Sequence, residues 1–244
     1  MSPETADTSP IPGRRVAVII TAYNEAARIE TTLEALATAF PSASIWVADD
    51  GSTDATAPLA RQAGALVVRS ERMIGKGAAA MLAAREALKD ARKKDARKNY
   101  DEPIFVLCDG DLAASAGRLS ALVDVVRGGE ADIAVAVFAT RVGGGVGLAV
   151  GFARWAIRRR CGLEMRAPIS GQRALRASVL EDVLPFARGF GMEIGMTIDA
   201  ARAGHRIAEV ELDLAHRATG RTLSGFLHRG RQLVDFVRVY IARR

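Results

Sequence analysis

Cysteine is almost missing from this 244-residue chain: Cys108 and Cys161 stand alone, far apart, with no C-x-x-C pairing. That excludes a disulfide framework and a thiolate zinc site, and it points to a reducing, cytoplasmic setting. Aromatic residues make up 5% of the chain against 49% hydrophobic residues in all, so small aliphatics, Ala and Val foremost, must pack the core. Long apolar runs are lacking too. The longest near the middle, Val146 to Ile157, is interrupted by Arg154 and is too short to span a bilayer. Residues 1–13 are polar and rich in Pro, Ser and Thr, with no apolar h-region. They read as a disordered lead-in, and the chain is expected to be soluble or at most peripheral to the inner face of the cell membrane.

What the chain has in excess is positive charge, net +6 with a pI near 9.8. Such a balance favours an anionic partner: a nucleotide, an anionic lipid surface or a nucleic acid. The tandem KDARK copies at Lys89–Lys93 and Lys94–Lys98 read as a solvated helix extension, so no nucleic-acid partner is expected.

Apolar periodicity predicts strands over 15–21, 44–48, 65–69, 103–108 and 132–139, with helices over 26–40, 53–63, 77–91 and 116–127 between them. This alternation implies an α/β fold with a mainly parallel sheet flanked by helices. The second half is less regular. Residues 141–151 are glycine-rich, 152–160, 179–184 and 193–203 read as helices, and 206–212 alternates like a strand. The expected organisation is a catalytic domain over 14–220, divided into a nucleotide half (14–140) and an acceptor half (141–220). A basic amphipathic helix over 221–244 follows.

Three polar clusters end predicted strands: Thr21–Glu25, Asp49–Asp54 and Asp109–Asp111. In parallel sheets ligands bind outside the carboxyl ends of the strands, so one nucleotide site built from three loops is expected. Asp109–Gly110–Asp111 offers two carboxylates one residue apart. A pair so placed can share Mg²⁺ or Mn²⁺ with substrate phosphates, or it can serve only as a turn. A carboxylate in the Asp49–Asp54 cluster can accept a hydrogen bond from a base, and Ser52 or Thr53 can equally cap the next helix. The backbone of Thr21–Glu25, with Tyr23 and Glu25, suits the base and ribose. Gly75–Lys76–Gly77 opens a helix, whose N-terminus attracts anions.

These blocks resemble the TAYNE, DDGSTD, GKG and DxD blocks of the family 2 glycosyltransferases, in order and spacing. Weaker similarity continues through Ser170–Gly171–Gln172–Arg173 and Gly189–Phe190–Gly191–Met192–Glu193. The resemblance implies a Rossmann-like glycosyltransferase A-type fold, a nucleotide-diphosphate sugar donor (UDP favoured) and Mg²⁺ or Mn²⁺. It puts Thr21, Tyr23, Glu25, Asp50, Lys76, Asp109, Gly110 and Gln172 around the donor, with Asp50 on the base and Lys76 near the nucleotide. By the same resemblance Asp111 would be the main metal ligand, beside Asp109. Polyprenyl-phosphate glycosyltransferases and glucosyl-3-phosphoglycerate synthase-like enzymes look most similar. The latter imply a downstream His as a further metal ligand, and His216 matches its place.

Glu193 can serve as a general base, as an anchor for sugar hydroxyls, or only as a favourable acid at a helix N-terminus. Arg154, Arg158, Arg159, Arg160, Arg217 and Arg221 form either a solvated basic face or a grip on an acceptor phosphate or lipid headgroup. A lipid phosphate and a small molecule both stay open as acceptor. In the C-terminal helix, Phe226, Leu233, Val237 and Tyr240 recur near helical spacing. That stripe can pack on the domain, on a second copy of the chain, or in a membrane interface. The competing classes are a nucleotidyltransferase and a non-enzymatic membrane or nucleotide binder.

Overall fold

The computed structural model describes residues 15–95, 102–139, 148–215 and 234–243. Strands and helices alternate as the periodicity requires. β1 (Val16–Ala22), α1 (Ile29–Ala39), β2 (Ser44–Asp49), α2 (Thr56–Gln62), β3 (Leu66–Arg69), α3 (Lys76–Asp95) and β4 (Ile104–Asp109) build the first half. A 3-10 segment (Ala113–Leu119), α4 (Ser120–Arg127), β5 (Ile133–Phe138) and α5 (Leu148–Cys161) follow. β6 (Arg173–Arg176), α6 (Ala177–Val183), a 3-10 turn (Gly189–Gly191), α7 (Met192–Arg202) and β7 (Ile207–Leu212) complete the sheet region. The last described helix, α8, spans 234–242.

One seven-stranded sheet runs in the order β3-β2-β1-β4-β6-β5-β7. All neighbours are parallel except β6, which is antiparallel to both β4 and β5. Successive residues of each strand point to opposite faces, and this sorts the core into two layers. Ile19, Phe105, Leu107, Val135 and Leu175 pack with α3, α5, α6, α7 and α8. Val18, Ile20, Val106, Ala134 and Ala174 pack with α1, α2 and α4 on the other side. α3 buries Ala79, Ala80, Ala83, Ala84 and Ala87, so a nearly bare helix backbone lies close to the sheet, as the shortage of aromatics requires.

Three local differences from the expected elements have physical causes. The helix expected from Thr53 begins at Thr56, because Asp54 accepts from Thr56 N (3.0 Å) and Ala26 N (3.1 Å) and so ends the loop. β6 was not expected: its four residues, Arg-Ala-Leu-Arg, carry charge at both ends and are too short to show a period. Of the C-terminal helix, 221–233 lies outside the described residues. Within α8 the buried side chains are Phe236 and Val239, while Val237, expected in the apolar stripe, is 38% exposed.

Candidate active site

The carboxyl ends of β1, β2 and β4 meet in register, Thr21 beside Asp109 and Ala22 beside Asp49. The first two polar loops are stitched together there. Asn24 N donates to Ser52 Oγ (3.0 Å), Glu25 N to Thr56 Oγ1 (2.8 Å) and Thr53 N to Asn24 Oδ1 (2.9 Å). Ser52 therefore serves the neighbouring loop rather than capping α2. Asn24 takes a left-handed φ of 55°, which a short polar side chain tolerates. Asp49 is fully buried, with Oδ1 accepting from Ser52 N (3.0 Å) and Oδ2 facing Arg69 Nε at 3.2 Å.

Asp50, expected on the base, has partners within the chain. Its carboxylate turns inward and accepts from Ile74 N (2.6 Å) and Gly75 N (3.0 Å), satisfying backbone donors at the entry to α3. Burial raises its pKa above the ordinary carboxylate value, Asp49 adds to the rise, and the two backbone donors oppose it. Tyr23 is 40% exposed at the rim.

Lys76, the first residue of α3, is the centre of the site. Its Nζ lies 2.8 Å from Asp109 Oδ1 and 2.8 Å from Glu193 Oε1. Burial works against the charge, but Asp109 and then Glu193 outweigh it and hold the ammonium well above the usual lysine value. Asp109 also accepts from Thr21 Oγ1 (2.9 Å) and Gln172 Nε2 (3.1 Å). Burial would raise its pKa, yet Lys76 and these donors bring it below the usual carboxylate range.

The antiparallel course of β6 explains why Gln172 is here. Arg173 pairs with Leu107, so the chain entering β6 crosses the carboxyl end of β4. At Gly171 the backbone passes so close that an added Cβ would stand 2.6 Å from Lys76 Nζ and 3.1 Å from Asp109 Oδ2. Gln172 Oε1 and Ser170 Oγ are buried with no hydrogen-bond partner among the described residues. Cys108, just before Asp109, is a buried thiol whose pKa burial pushes up, which leaves it inert.

The loop of Asp109–Asp111 is fastened through its backbone. Gly110 N donates to Thr21 O (2.9 Å), Thr32 Oγ1 to Gly110 O (3.0 Å) and Arg28 Nη1 to Asp111 O (3.2 Å). None of these bonds uses the Asp111 carboxylate. Asp109 is thus engaged by Lys76, Thr21 and Gln172, and Asp111 follows it two residues on. Among the described residues no three His, Cys, Asp or Glu side chains cluster to hold an ion, and His216 lies outside them. The donor set still suits a hard cation, since Mg²⁺ is commonly held by one or two carboxylates plus substrate phosphates.

Arg173 closes the Ser170–Arg173 block and opens β6. It is fully buried, and its guanidinium donates to Ser170 O (2.9 Å), Thr197 Oγ1 (3.0 Å) and Pro168 O (3.5 Å). Thr197 sits one turn after Glu193 and donates to Glu193 O (2.9 Å), so Arg173 ties the Gln172 segment to the helix that carries Glu193. Burial brings the Arg173 pKa down to about 10, against the pull of Glu193 and Glu209.

Three arginines of the expected cluster have local partners. Arg154 donates to Met165 O (3.1 Å) and Arg166 O (2.6 Å), Arg160 donates to Tyr240 O (2.8 Å), and Arg158 is 3.8 Å from Glu164. Arg217 and Arg221 lie outside the described residues.

The sequence profile of glycosyl transferase family 2 matches residues 17–184, a span that includes every loop described above except the one carrying Glu193. The chain belongs to glycosyl transferase family 2. The undecaprenyl-phosphate mannosyltransferase of Micrococcus luteus is 30% identical over 252 residues, covering 94% of this chain and 96% of that protein. Crystal structures of glucosyl-3-phosphoglycerate synthase from Mycobacterium tuberculosis share the fold. One, holding Mn²⁺, UDP-glucose and phosphoglyceric acid, has a TM-score of 0.69 at 28% identity, over 95% of this chain and 80% of that one. Another, with Mg²⁺ and UDP, has a TM-score of 0.67 at 28% identity over 95% and 79%. The family 2 chain is therefore a glycosyltransferase of the A-type fold, and the nucleotidyltransferase and non-enzymatic readings are set aside.

Proposed function

We propose that the enzyme moves a sugar from a nucleotide-diphosphate sugar, UDP-linked by preference, to the phosphate of a polyprenyl phosphate at a membrane surface, with Mg²⁺ or Mn²⁺ held at Asp111. The observation that carries this reading is the ion pair of Lys76 with Glu193. A hydroxyl acceptor needs its proton removed, and Glu193 is the candidate for that work. It is 4% exposed with Oε1 already on Lys76, which leaves little of it to reach an acceptor. A phosphate monoester needs no such base, because its oxygen is already anionic at neutral pH.

In this reading an acceptor phosphate oxygen attacks the anomeric carbon. The bond from that carbon to the diphosphate breaks, and its electron pair leaves with the nucleoside diphosphate. Asp111 and His216 would hold the cation, which when bound would supply neutralisation of the diphosphate. Thr21, Tyr23, Glu25 and the Asp50 loop surround base and ribose, and the backbone at Gly110 borders the diphosphate. Lys76 fixes Asp109 and Glu193. The orphaned Gln172 Oε1 and Ser170 Oγ would find their partners in sugar hydroxyls; a buried polar atom left unpaired costs about 1–3 kcal/mol. The name of the Micrococcus luteus relative supports the lipid phosphate, and the Mycobacterium tuberculosis complexes support the metal and the uridine nucleotide.

Transfer from labelled UDP-glucose and GDP-mannose to undecaprenyl phosphate in detergent, with phosphoglyceric acid as the competing acceptor, tests the reading. A labelled lipid that EDTA abolishes is expected. Label on phosphoglyceric acid alone would overturn the lipid acceptor.

A further inference from the structure

α8 has apolar side chains on both faces. Phe236 and Val239 enter the core, and Arg243 binds Asp199 through Nε (2.8 Å) and Nη2 (2.6 Å) on the same side. Val234, Val237 and Ile241 recur at i, i+3 and i+7, so they share the opposite face, at 49%, 38% and 51% exposure. Burial of the inner face accounts for the fold of this helix but not for the outer one.

At the flank of this face α8 meets α5. Tyr240 bridges the two helices: its ring lies 4.8 Å from that of Trp155 and 6.2 Å from that of Phe152, and the Arg160 guanidinium stands 3.8 Å over it. Trp155 is itself 44% exposed. Around this apolar strip Arg158, Arg159 and Arg238 are exposed. Two acids approach them, Glu164 at 3.8 Å from Arg158 and Asp235 at 3.5 Å from Arg238. Arg159 has no ion-pair or hydrogen-bond partner among the described residues.

We infer that the joined outer faces of α5 and α8 dock onto an anionic lipid bilayer surface. Aliphatic side chains beside Trp and Tyr, rimmed by exposed arginines, match the chemistry of the headgroup boundary. A second copy of the chain fits less well, because a two-fold contact through this face would set the same arginines against each other. The helix also buttresses the active site. Asp235 Oδ2 accepts from Phe190 N (3.2 Å), and it lies so close to Gly189 that a Cβ there would fall on the carboxylate. Three residues on, Glu193 meets Lys76. A lipid surface held by α5 and α8 is thus coupled through one short turn to the site. The inference rests on the polyprenyl-phosphate reading for its purpose, and on the surface itself for its evidence.

The test uses the full chain without substrate, co-sedimented with phosphatidylcholine vesicles and with vesicles containing about one-third phosphatidylglycerol. Binding to the anionic vesicles alone, weakened by salt, is expected. It should fall about tenfold in Arg158→Glu/Arg159→Glu and in Val237→Glu/Ile241→Glu, with melting temperatures unchanged. Tryptophan emission should shift to the blue on binding in the native protein and not in Trp155→Phe, a readout that holds even if a charge variant folds poorly. Equal binding by native protein and both folded variants would overturn the surface, as would a native dimer turned monomeric by Val237→Glu/Ile241→Glu. Transfer to undecaprenyl phosphate in detergent separates the two ideas. Transfer without vesicle binding removes this surface and keeps the acceptor. Vesicle binding without transfer does the reverse.

Discussion

Lys76 Nζ stands 2.8 Å from Glu193 Oε1, joining the first turn of α3 to the first turn of α7 across 117 residues of chain. The same ammonium holds Asp109 at the end of β4. Substituting Lys76→Met leaves the buried Glu193 and the half-buried Asp109 without their cation; breaking a fully buried pair from one side costs about 3–5 kcal/mol, an upper bound for this partly exposed site. Chemical denaturation should show a loss within that bound. Adding Glu193→Gln should restore part of it, and strictly additive losses would deny the coupling.

Asp111→Asn should abolish transfer and metal-dependent nucleotide binding while leaving the melting temperature in place. The loop is pinned through backbone groups to β1, Thr32 and Arg28, and asparagine keeps the size of the side chain. Calorimetry with UDP and Mn²⁺ is the measurement. Metal-dependent binding that survives would remove Asp111 from the cation.

Asp50→Ala should act first on stability. The carboxylate accepts from Ile74 N and Gly75 N, and loss of a helix-entry cap costs about 1–2 kcal/mol. A denaturation midpoint that stays put, with nucleotide affinity reduced, would return Asp50 to the base pocket.

Asp132 carries a pH dependence. It accepts from Arg206 N (2.9 Å) and Arg206 Nη2 (3.0 Å), and its pKa is lowered to about 2, chiefly by the Arg206 side-chain bonds, with burial opposing. A carboxyl whose folded pKa is depressed lends stability above its unfolded value near 4, and that stability drains away as pH falls towards 2. Acid unfolding of Asp132→Asn should therefore be shallower than that of the native chain across this window. Parallel curves would show that the ion pair contributes nothing.

The order of elements through β5 was legible because period 2 and period 3.6 are local properties, written within a few residues of each other. The three polar clusters could be assigned to strand ends for the same reason, and their order and spacing carried the family. Arg173 and β6 were not legible. A four-residue strand with arginine at each end looks like surface, and it belongs to the interior only because β4, β5 and Thr197 close around it. The sequence could name Asp109, Lys76, Gln172 and Glu193 as candidates, but not state that one ammonium binds two of the acids. Their convergence depends on where an antiparallel strand crosses the end of a parallel one, and that crossing is set by packing between distant segments. Likewise the amphipathic character of α8 was evident from spacing alone, while the choice of which apolar stripe turns inward was made by the glycines and acids it meets, Gly189, Gly191 and Asp199.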